Sequence, residues 1–421
     1  MNQRADLEAI WRAGLSASDP AAAVHRHLAM ADGALIVAGE TLPATGRLVV
    51  IAAGKAAPAM AEAAAAVLGD RVWRQVVVAK DPGRCRWPVH LAGHPRPDER
   101  SVAAADAVLA AVSGLTADDV VLVLLAGGAS ALLACPRSPL VLADLDGLHA
   151  DLLACGADIH AINAVRKRLS VLAGGGLAQA LRPARVVTLA LSDVPGDRPD
   201  SIGSGPTVPD LATRAEVSGV VEHFRLKLPA AVATLINEPK TLHTNDPRDR
   251  FLCIGSNAVA CHAAQAEAER RGYLVEPAPP LTGEARRMGD VLASRLITIA
   301  AGTSRPRAII SGGETTVSLG PTPGQGGRNQ ELALAAAIAL DGSLDVGLLA
   351  AGTDGGDGSS PAAGAFVDGS TVGRAARRSL DARDHLRRHD AYSFFHALDD
   401  ALITGPTGTN VMDLVIGIVA G

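Results

Sequence analysis

Apolar and polar positions along the chain fall into two alternating periods. Residues 5–38 carry Leu7, Ile10, Trp11 and Leu15 at helical spacing, which predicts amphipathic helices. A strand-then-helix rhythm follows. Arg47–Ala53 is expected as a strand, Ala56–Leu68 as a helix, Val72–Ala79 as a strand, Arg100–Val112 as a helix and Asp119–Ala126 as a strand. Leu140–Ala154 and Asp158–Val171 read as helices, and Arg185–Leu191 closes the series as a strand. Such alternation implies a mostly parallel sheet with helices on its faces. Pro229–Pro247 lacks strong periodicity after a short helical piece, and PKTLHTNDPRD within it reads as a linker. A second α/β series then begins. Its strands are Phe251–Ile254, Tyr273–Glu276, Arg307–Ser311, Val346–Ala351 and Leu414–Val419; its helices are Asn257–Arg271, Gly283–Ala301 and Asn329–Leu340. The expectation is an α/β protein of two domains, residues 1–240 and 241–421, with N-terminal helices able to pack on either half.

Composition narrows the function. A chain of 421 residues is too long for one ordinary core, which agrees with two domains. Aromatic residues are only 2% and the formal charge is −5, so neither base stacking nor a nucleic-acid backbone is an expected partner. The five cysteines, Cys85, Cys135, Cys155, Cys253 and Cys261, form no C-x-x-C pair and read as free thiols in a reducing compartment. The N-terminus has no signal-type apolar core, and the run Val120–Ala126 is far too short to span a bilayer. A cytoplasmic protein without membrane contact is expected, and a homo-oligomer is compatible with this composition.

Chemistry concentrates in loops that follow the predicted strands, where open α/β sheets bind ligands. The segment LSDVPGDRPDSIGSGPTVPD, Leu191 to Asp210, carries Asp193, Asp197 and Asp200 among Gly196, Gly203, Gly205, Ser201, Ser204 and Thr207. Acids suit a hard cation, and glycines with small hydroxyl residues let backbone N–H groups approach a phosphate. In IAAGKAAPAM, Gly54 and Lys55 sit between a strand and a helix start, where an ammonium meets a phosphate or is a solvated turn residue. LLAGGASALL places Gly127, Gly128 and Ser130 as an anion nest or a tight turn. SGGETTV sets Gly312, Gly313 and Glu314 at a strand end, suited to a metal or a hydroxyl, or to a hairpin turn. GQGGRNQELALAAA opens a long helix after Gly326 and Gly327 with Arg328, a cation that conflicts with the helix dipole unless an anion is bound. AAGTDGGDGSS offers Asp354 as a Mg²⁺ ligand or a proton acceptor, and TGPTGTNVMDL offers Asn410. His90, His149, His160 and His262 read as isolated structural residues, and His94 lies in a turn before a helix that Asp98 is suited to cap. No clean G-x-G-x-x-G follows a strand, which weakens a dinucleotide site; Walker A, H-E-x-x-H and G-x-S-x-G are also missing.

The ordered set of motifs resembles the class II glycerate kinases, the glycerate 2-kinase family with a C-terminal MOFRL domain. It runs from AAGKAAPAM through GHPRPDERS, LLAGGASALL, INAVRKRLSVLAGGGLA, LSDVPGDRPDSIGSGPTVPD, SGGETTV, GGRNQELAL and GTDGGDGSSPAAGAFVD to TGPTGTNVMDL, nearly the whole chain. Two positions depart from the family pattern: Ala129, where a third glycine is usual, and Ala391, where a serine is common. The resemblance implies an N-terminal Rossmann-like domain and an active site in the cleft between domains. It implies transfer of the γ-phosphoryl group of ATP to the 2-hydroxyl of D-glycerate, with Mg²⁺. Lys55 and Arg328 are then the principal cations. Asp193 and Asp354 are the catalytic and metal-holding acids. Gly54, Gly127, Gly128, Ser130, Gly203, Ser204, Gly205, Glu314, Gly326, Gly327 and Asn410 would hold the nucleotide. Some members carry the name hydroxypyruvate reductase, which implies hydride transfer from NAD(P)H; a non-catalytic sugar-acid binding protein is a third reading.

Overall fold

The computed structural model describes residues 3–42, 45–157, 159–238 and 246–421. Residues 239–245 of the expected linker, and Asp158 at the start of an expected helix, lie outside them. The protein is α/β and divides into two compact units, one of residues 20–254 and one of residues 1–19 with 255–421. The two units divide at 254/255. The first helix, Gln3–Ala17, belongs with the C-terminal half because its buried Leu7, Ile10 and Trp11 share a core with Ala260, Ala264 and Tyr273.

In the unit of residues 20–254, six strands lie in the order Val89–Leu91, Val72–Ala79, Leu48–Ala53, Val120–Leu125, Arg185–Leu191 and Arg250–Gly255. The first four pairings are parallel. Every residue of Leu48–Ala53 and Val120–Leu125 is buried, as expected of strands covered on both faces. Alternate side chains feed two cores: Val49, Ile51 and Ala53 enter one, and Leu48, Val50 and Ala52 the other. The helix Ala57–Leu68 covers the second face and Glu99–Ala111 the first. Asp98 caps the latter through the amides of Arg100 and Ser101, with Ser101 completing the capping box.

The expectation of helices through residue 38 is corrected. Helix Pro20–His27 ends at an antiparallel sheet of Leu28–Ala31, Ala34–Val37 and Glu40–Leu42. Its two turns, Asp32–Gly33 and Ala38–Gly39, have positive φ at both positions, the geometry of two-residue hairpins.

In the other unit the strand order is Leu274–Glu276, Arg307–Gly313, Asp413–Val419, Val346–Gly352, Gly364–Asp368 and Ala401–Leu402. The C-terminal strand pairs antiparallel with both neighbours, so this sheet is mixed, with only Leu274–Glu276 and Arg307–Gly313 pairing in parallel. Helix Arg328–Ala339 is buried along nearly its whole length against Ala285–Gly302 and the sheet. No helix among the described residues is long and apolar enough to cross a membrane.

Candidate active site

Two groups of candidate residues form, one in each unit. In the unit of residues 20–254 they gather at the carboxyl ends of three adjacent strands. Gly54 follows Leu48–Ala53 at φ +135°, and a Cβ there would stand 2.5 Å from the carbonyl oxygen of Ala126. That close approach lets the Lys55 amide donate to the Gly127 carbonyl at 2.9 Å. Gly127 in turn underlies Asp193: a Cβ on it would fall 1.9 Å from Asp193 Oδ2. Gly128, at φ +90°, opens the short helix Ala129–Leu132; a Cβ there would lie 2.8 Å from the His94 ring and 3.4 Å from Lys55 Cγ. Lys55, Asp193 and His94 thus surround one glycine pair. Burial pushes the Asp193 carboxyl up, with Lys55 pulling it back. Burial, and then Lys55 and Lys80, hold His94 down at about 4, so its imidazole is neutral at physiological pH.

The second wall is the loop that carries Gly203, Ser204 and Gly205. All three have positive φ, at 57°, 62° and 58°. Carbonyls of Ser204 and Gly205 accept from the amides of Gly174 and Gly175, which ties the GGG run of residues 174–176 to this loop. Ser204 Oγ lies 2.7 Å from Ser130 Oγ and donates to Asn163 Oδ1 at 3.0 Å, so the two small-residue loops are joined. The loop's acids separate by role. Asp200 and Asp210 clamp the buried Lys167 at 3.1 and 3.6 Å and hold the fold. Asp197 Oδ1 is buried without a hydrogen-bond partner. Asp193 is the acid left beside Lys55. An apolar pocket adjoins the serines, and sequence reasoning missed its charged residue, Arg166.

The unit of residues 1–19 and 255–421 gathers the other candidates around Arg328. Its Nε and Nη2 donate to Asp413 at 2.5 and 3.0 Å, and Nη1 meets Glu314 Oε1 at 2.7 Å. The two carboxylates raise the guanidinium above its ordinary value against the opposing effect of burial. The expected conflict with the helix dipole is resolved within the chain. Asp357, beneath Gly327, accepts from the Asn329 and Gln330 amides at 3.0 and 2.8 Å, so an internal anion occupies the helix start. Burial still pushes Asp357 up to about 6. Asp413 was missed, because it is 85 positions from Arg328 in sequence; Asp357 stands with Thr353 and Asp354 in the acidic loop that the sequence singles out, but its role at the helix start was not legible. Gly326, at φ +155°, passes against the loop at Gly358.

Asp354 is exposed, its Oδ1 accepting from the Gly356 amide at 3.1 Å. A Cβ on Gly352 would lie 3.4 Å from both Asp354 Oδ1 and Asp413 Oδ1, so these acids share a surface. Asn410 Oδ1 accepts from the Met412 amide at 3.1 Å within its own loop. Among the described residues no three His, Cys, Asp or Glu side chains converge to hold a metal. Single carboxylates still suit a Mg²⁺ that arrives with nucleotide phosphates, since that ion takes most of its ligands from phosphate and water.

Two family models match the chain: a domain of unknown function, DUF4147, over residues 6–237, and the MOFRL family over residues 307–413. The D-glycerate 2-kinase of Thermotoga maritima is 41% identical over 391 residues, covering 90% of this chain and 93% of that protein. An Agrobacterium vitis protein named "Putative hydroxypyruvate reductase" is 44% identical over 382 residues, 88% of this chain and 98% of that one. The crystal structure of a Thermotoga maritima glycerate kinase superposes with a TM-score of 0.86 at 38% identity, covering 98% of each chain.

Proposed function

The chain belongs to the glycerate kinase family that joins a DUF4147 domain to a MOFRL domain, and we propose that it is a glycerate 2-kinase. It transfers the γ-phosphoryl group of ATP to the 2-hydroxyl of D-glycerate, giving 2-phosphoglycerate and ADP. The observation that carries this reading is the 41% identity to a D-glycerate 2-kinase over nearly the full length of both chains. Hydride transfer is disfavoured because no strand is followed by the glycine fingerprint of a dinucleotide site.

Phosphoryl transfer asks a protein chiefly for positioning and charge stabilisation. The hydroxyl oxygen forms a bond to Pγ while the bond from Pγ to the bridging oxygen of ADP breaks, and the hydroxyl proton must leave. Lys55, beside an open glycine turn, is suited to the charge on the transferring group. Backbone N–H groups of Gly127, Gly128 and Gly203 are suited to phosphate oxygens, whereas those of Gly54, Ala129, Ser204 and Gly205 already donate to the carbonyls of Val78, Ala126, Ser201 and Ile202. Asp193, raised by burial and next to Lys55, is placed to orient the hydroxyl or take its proton. Mg²⁺ bound with the nucleotide would supply further neutralisation, with Asp193 or Asp354 as its protein ligand. Arg328, already held by Asp413 and Glu314, presents a fixed guanidinium edge and not a free fork; Gly326 and Gly327 lead directly into it, and Asn410 lies three positions before Asp413.

Incubation with ATP, Mg²⁺ and D-glycerate, followed by phosphorus NMR, is expected to give 2-phosphoglycerate. A product that is only 3-phosphoglycerate, or oxidation of NAD(P)H with hydroxypyruvate as the sole activity, overturns the assignment.

A further inference from the structure

The apolar pocket in the unit of residues 20–254 has a charged end that the activity above leaves without a role. Leu133, Leu148, Leu152 and Val165 contribute to its walls, and Arg166 and His149 stand at its polar side with Ser130 and Ser204. About 820 Å³ of space lies within it, its open mouth included. The Arg166 guanidinium meets only neutral acceptors: His149 Nδ1 at 2.9 Å, Asn163 Oδ1 at 3.3 Å and Ser204 Oγ at 3.5 Å. Its sequence neighbour Lys167 is held by two carboxylates, whereas Arg166 has none within ion-pair distance among the described residues. Arg166 is half-buried, and a guanidinium drawn even partly out of water normally has an anionic partner. Burial here lowers the group to about 10, the mark of a charge its surroundings do not balance. Accepting from Arg166 requires a lone pair on His149 Nδ1, so this histidine is the neutral Nε2–H tautomer and adds no charge.

We propose that Arg166, with the Ser130 hydroxyl turned from Ser204 toward the ligand, binds the carboxylate of the hydroxy-acid substrate. The identity of the acid rests on the kinase reading; the oxyanion site does not. One guanidinium among neutral groups matches the single charge of a carboxylate, whereas a nucleotide's phosphates would need several cations. Two terminal nitrogens suit two carboxylate oxygens. Arg328 is the poorer seat, because Asp413 and Glu314 already surround it with negative charge. The position also fits: Ser130 lies two residues beyond Gly128, which packs against Lys55. One loop thereby meets the carboxylate at one end and the transferring group at the other. The Ser130 hydroxyl serves the acid, and the amides of Gly127 and Gly128 serve the phosphates.

Isothermal titration calorimetry on the full chain tests this, with D-glycerate in the absence of nucleotide and, separately, with Mg²⁺ and ADP. Arg166→Lys and Arg166→Gln are each expected to weaken D-glycerate at least tenfold and to leave ADP within twofold. Loss of ADP affinity with D-glycerate unchanged would give the site to a phosphate and overturn the proposal, as would variants that bind both ligands like the wild type. Ser130→Ala, a small change at the pocket surface, is the second variant should the arginine changes unfold the protein. It is expected to weaken D-glycerate several-fold, and an unaltered affinity counts against the site. In the wild type, D-lactate should compete with D-glycerate and glycerol should not. A wild type that binds both acids in an Arg166-dependent way yet phosphorylates neither would end the kinase reading and leave the carboxylate site standing.

Discussion

Lys55 and His94 are coupled through one glycine. Lys55→Ala is expected to lower kcat/KM by about two to four orders of magnitude with the fold kept, the usual cost of losing a charge partner of a transferring phosphoryl group. Steady-state kinetics beside a thermal melt checks this, and near-wild-type turnover would reduce Lys55 to a turn residue. The same substitution removes a positive neighbour from His94, so the midpoint of the His94 ring resonances in an NMR titration should move up from about 4. The sign for stability follows from that depressed value. Between about pH 4 and the ordinary value of 6.5, the folded protein holds His94 neutral while the unfolded chain protonates it. The stability from this group is present above 6.5 and is lost as pH falls through 4. His94→Gln should therefore flatten the acid limb of the unfolding curve in that window. Arg328→Lys is expected to be strongly impaired, because an ammonium cannot span Asp413 and Glu314 with the three nitrogens that the guanidinium uses. At this scale local pattern singles out Lys55 and Arg328 and conceals the residues that pack against them. Lys55 and Arg328 stand at glycine turns that local pattern reveals. Asp413 lies 85 positions from Arg328 and His94 39 positions from Lys55, so only the folded sheet brings them together.

Elements explain which loops tolerate change. Gly127→Ala would drive a methyl into the Asp193 carboxylate, and the acid must swing away from Lys55. Turnover should fall by at least tenfold, while the parallel strands beneath keep the melt close to wild type. Gly147, inside helix Leu142–Ala154, has no atom within 4 Å of an added Cβ. Gly147→Ala should leave turnover unchanged and raise stability by about 0.5–1 kcal/mol. A chemical denaturation series on the pair checks both, and equal effects would remove the distinction between site and surface glycines. Element type was legible where the apolar run was long: Val72–Ala79 and Arg185–Leu191 begin and end as expected. The sheet of residues 28–42 was hidden for a physical reason. Its strands are only three or four residues long, too short for period two to stand out, although Asp32–Gly33 is a hairpin signal that could have revealed it. Strand direction in the C-terminal sheet was equally hidden, because periodicity reports a buried face and not which neighbour a strand will join.

For the whole molecule, the division of the chain matters more than its number of domains. Residues 20–254 form one unbroken segment with cores on both faces of its sheet, whereas the C-terminal half borrows its first helix from the opposite end of the chain. Helix Gln3–Ala17 buries Leu7, Ile10 and Trp11 against Ala260, Ala264 and the strand Asp413–Val419. Arg4 reaches Asp400 at 3.1 Å, and Tyr273 Oη donates to Asp6 at 2.9 Å. Full burial of three large apolar side chains is worth on the order of 5 kcal/mol, comparable to the net stability of a domain. Residues 255–421 expressed alone are therefore expected to be unfolded or to melt well below the intact protein. The same segment preceded by residues 3–19 on a flexible linker should recover a cooperative transition. Within the full chain, Trp11→Ala should cost about 3–5 kcal/mol, and protection of amides in Asn257–Arg270 should fall while that in Leu48–Ala53 stays high. Hydrogen exchange read by mass spectrometry resolves the two halves. If Trp11→Ala instead exposes residues 48–125 and spares 257–270, the N-terminal helix belongs with the other unit and the division at 254/255 is wrong.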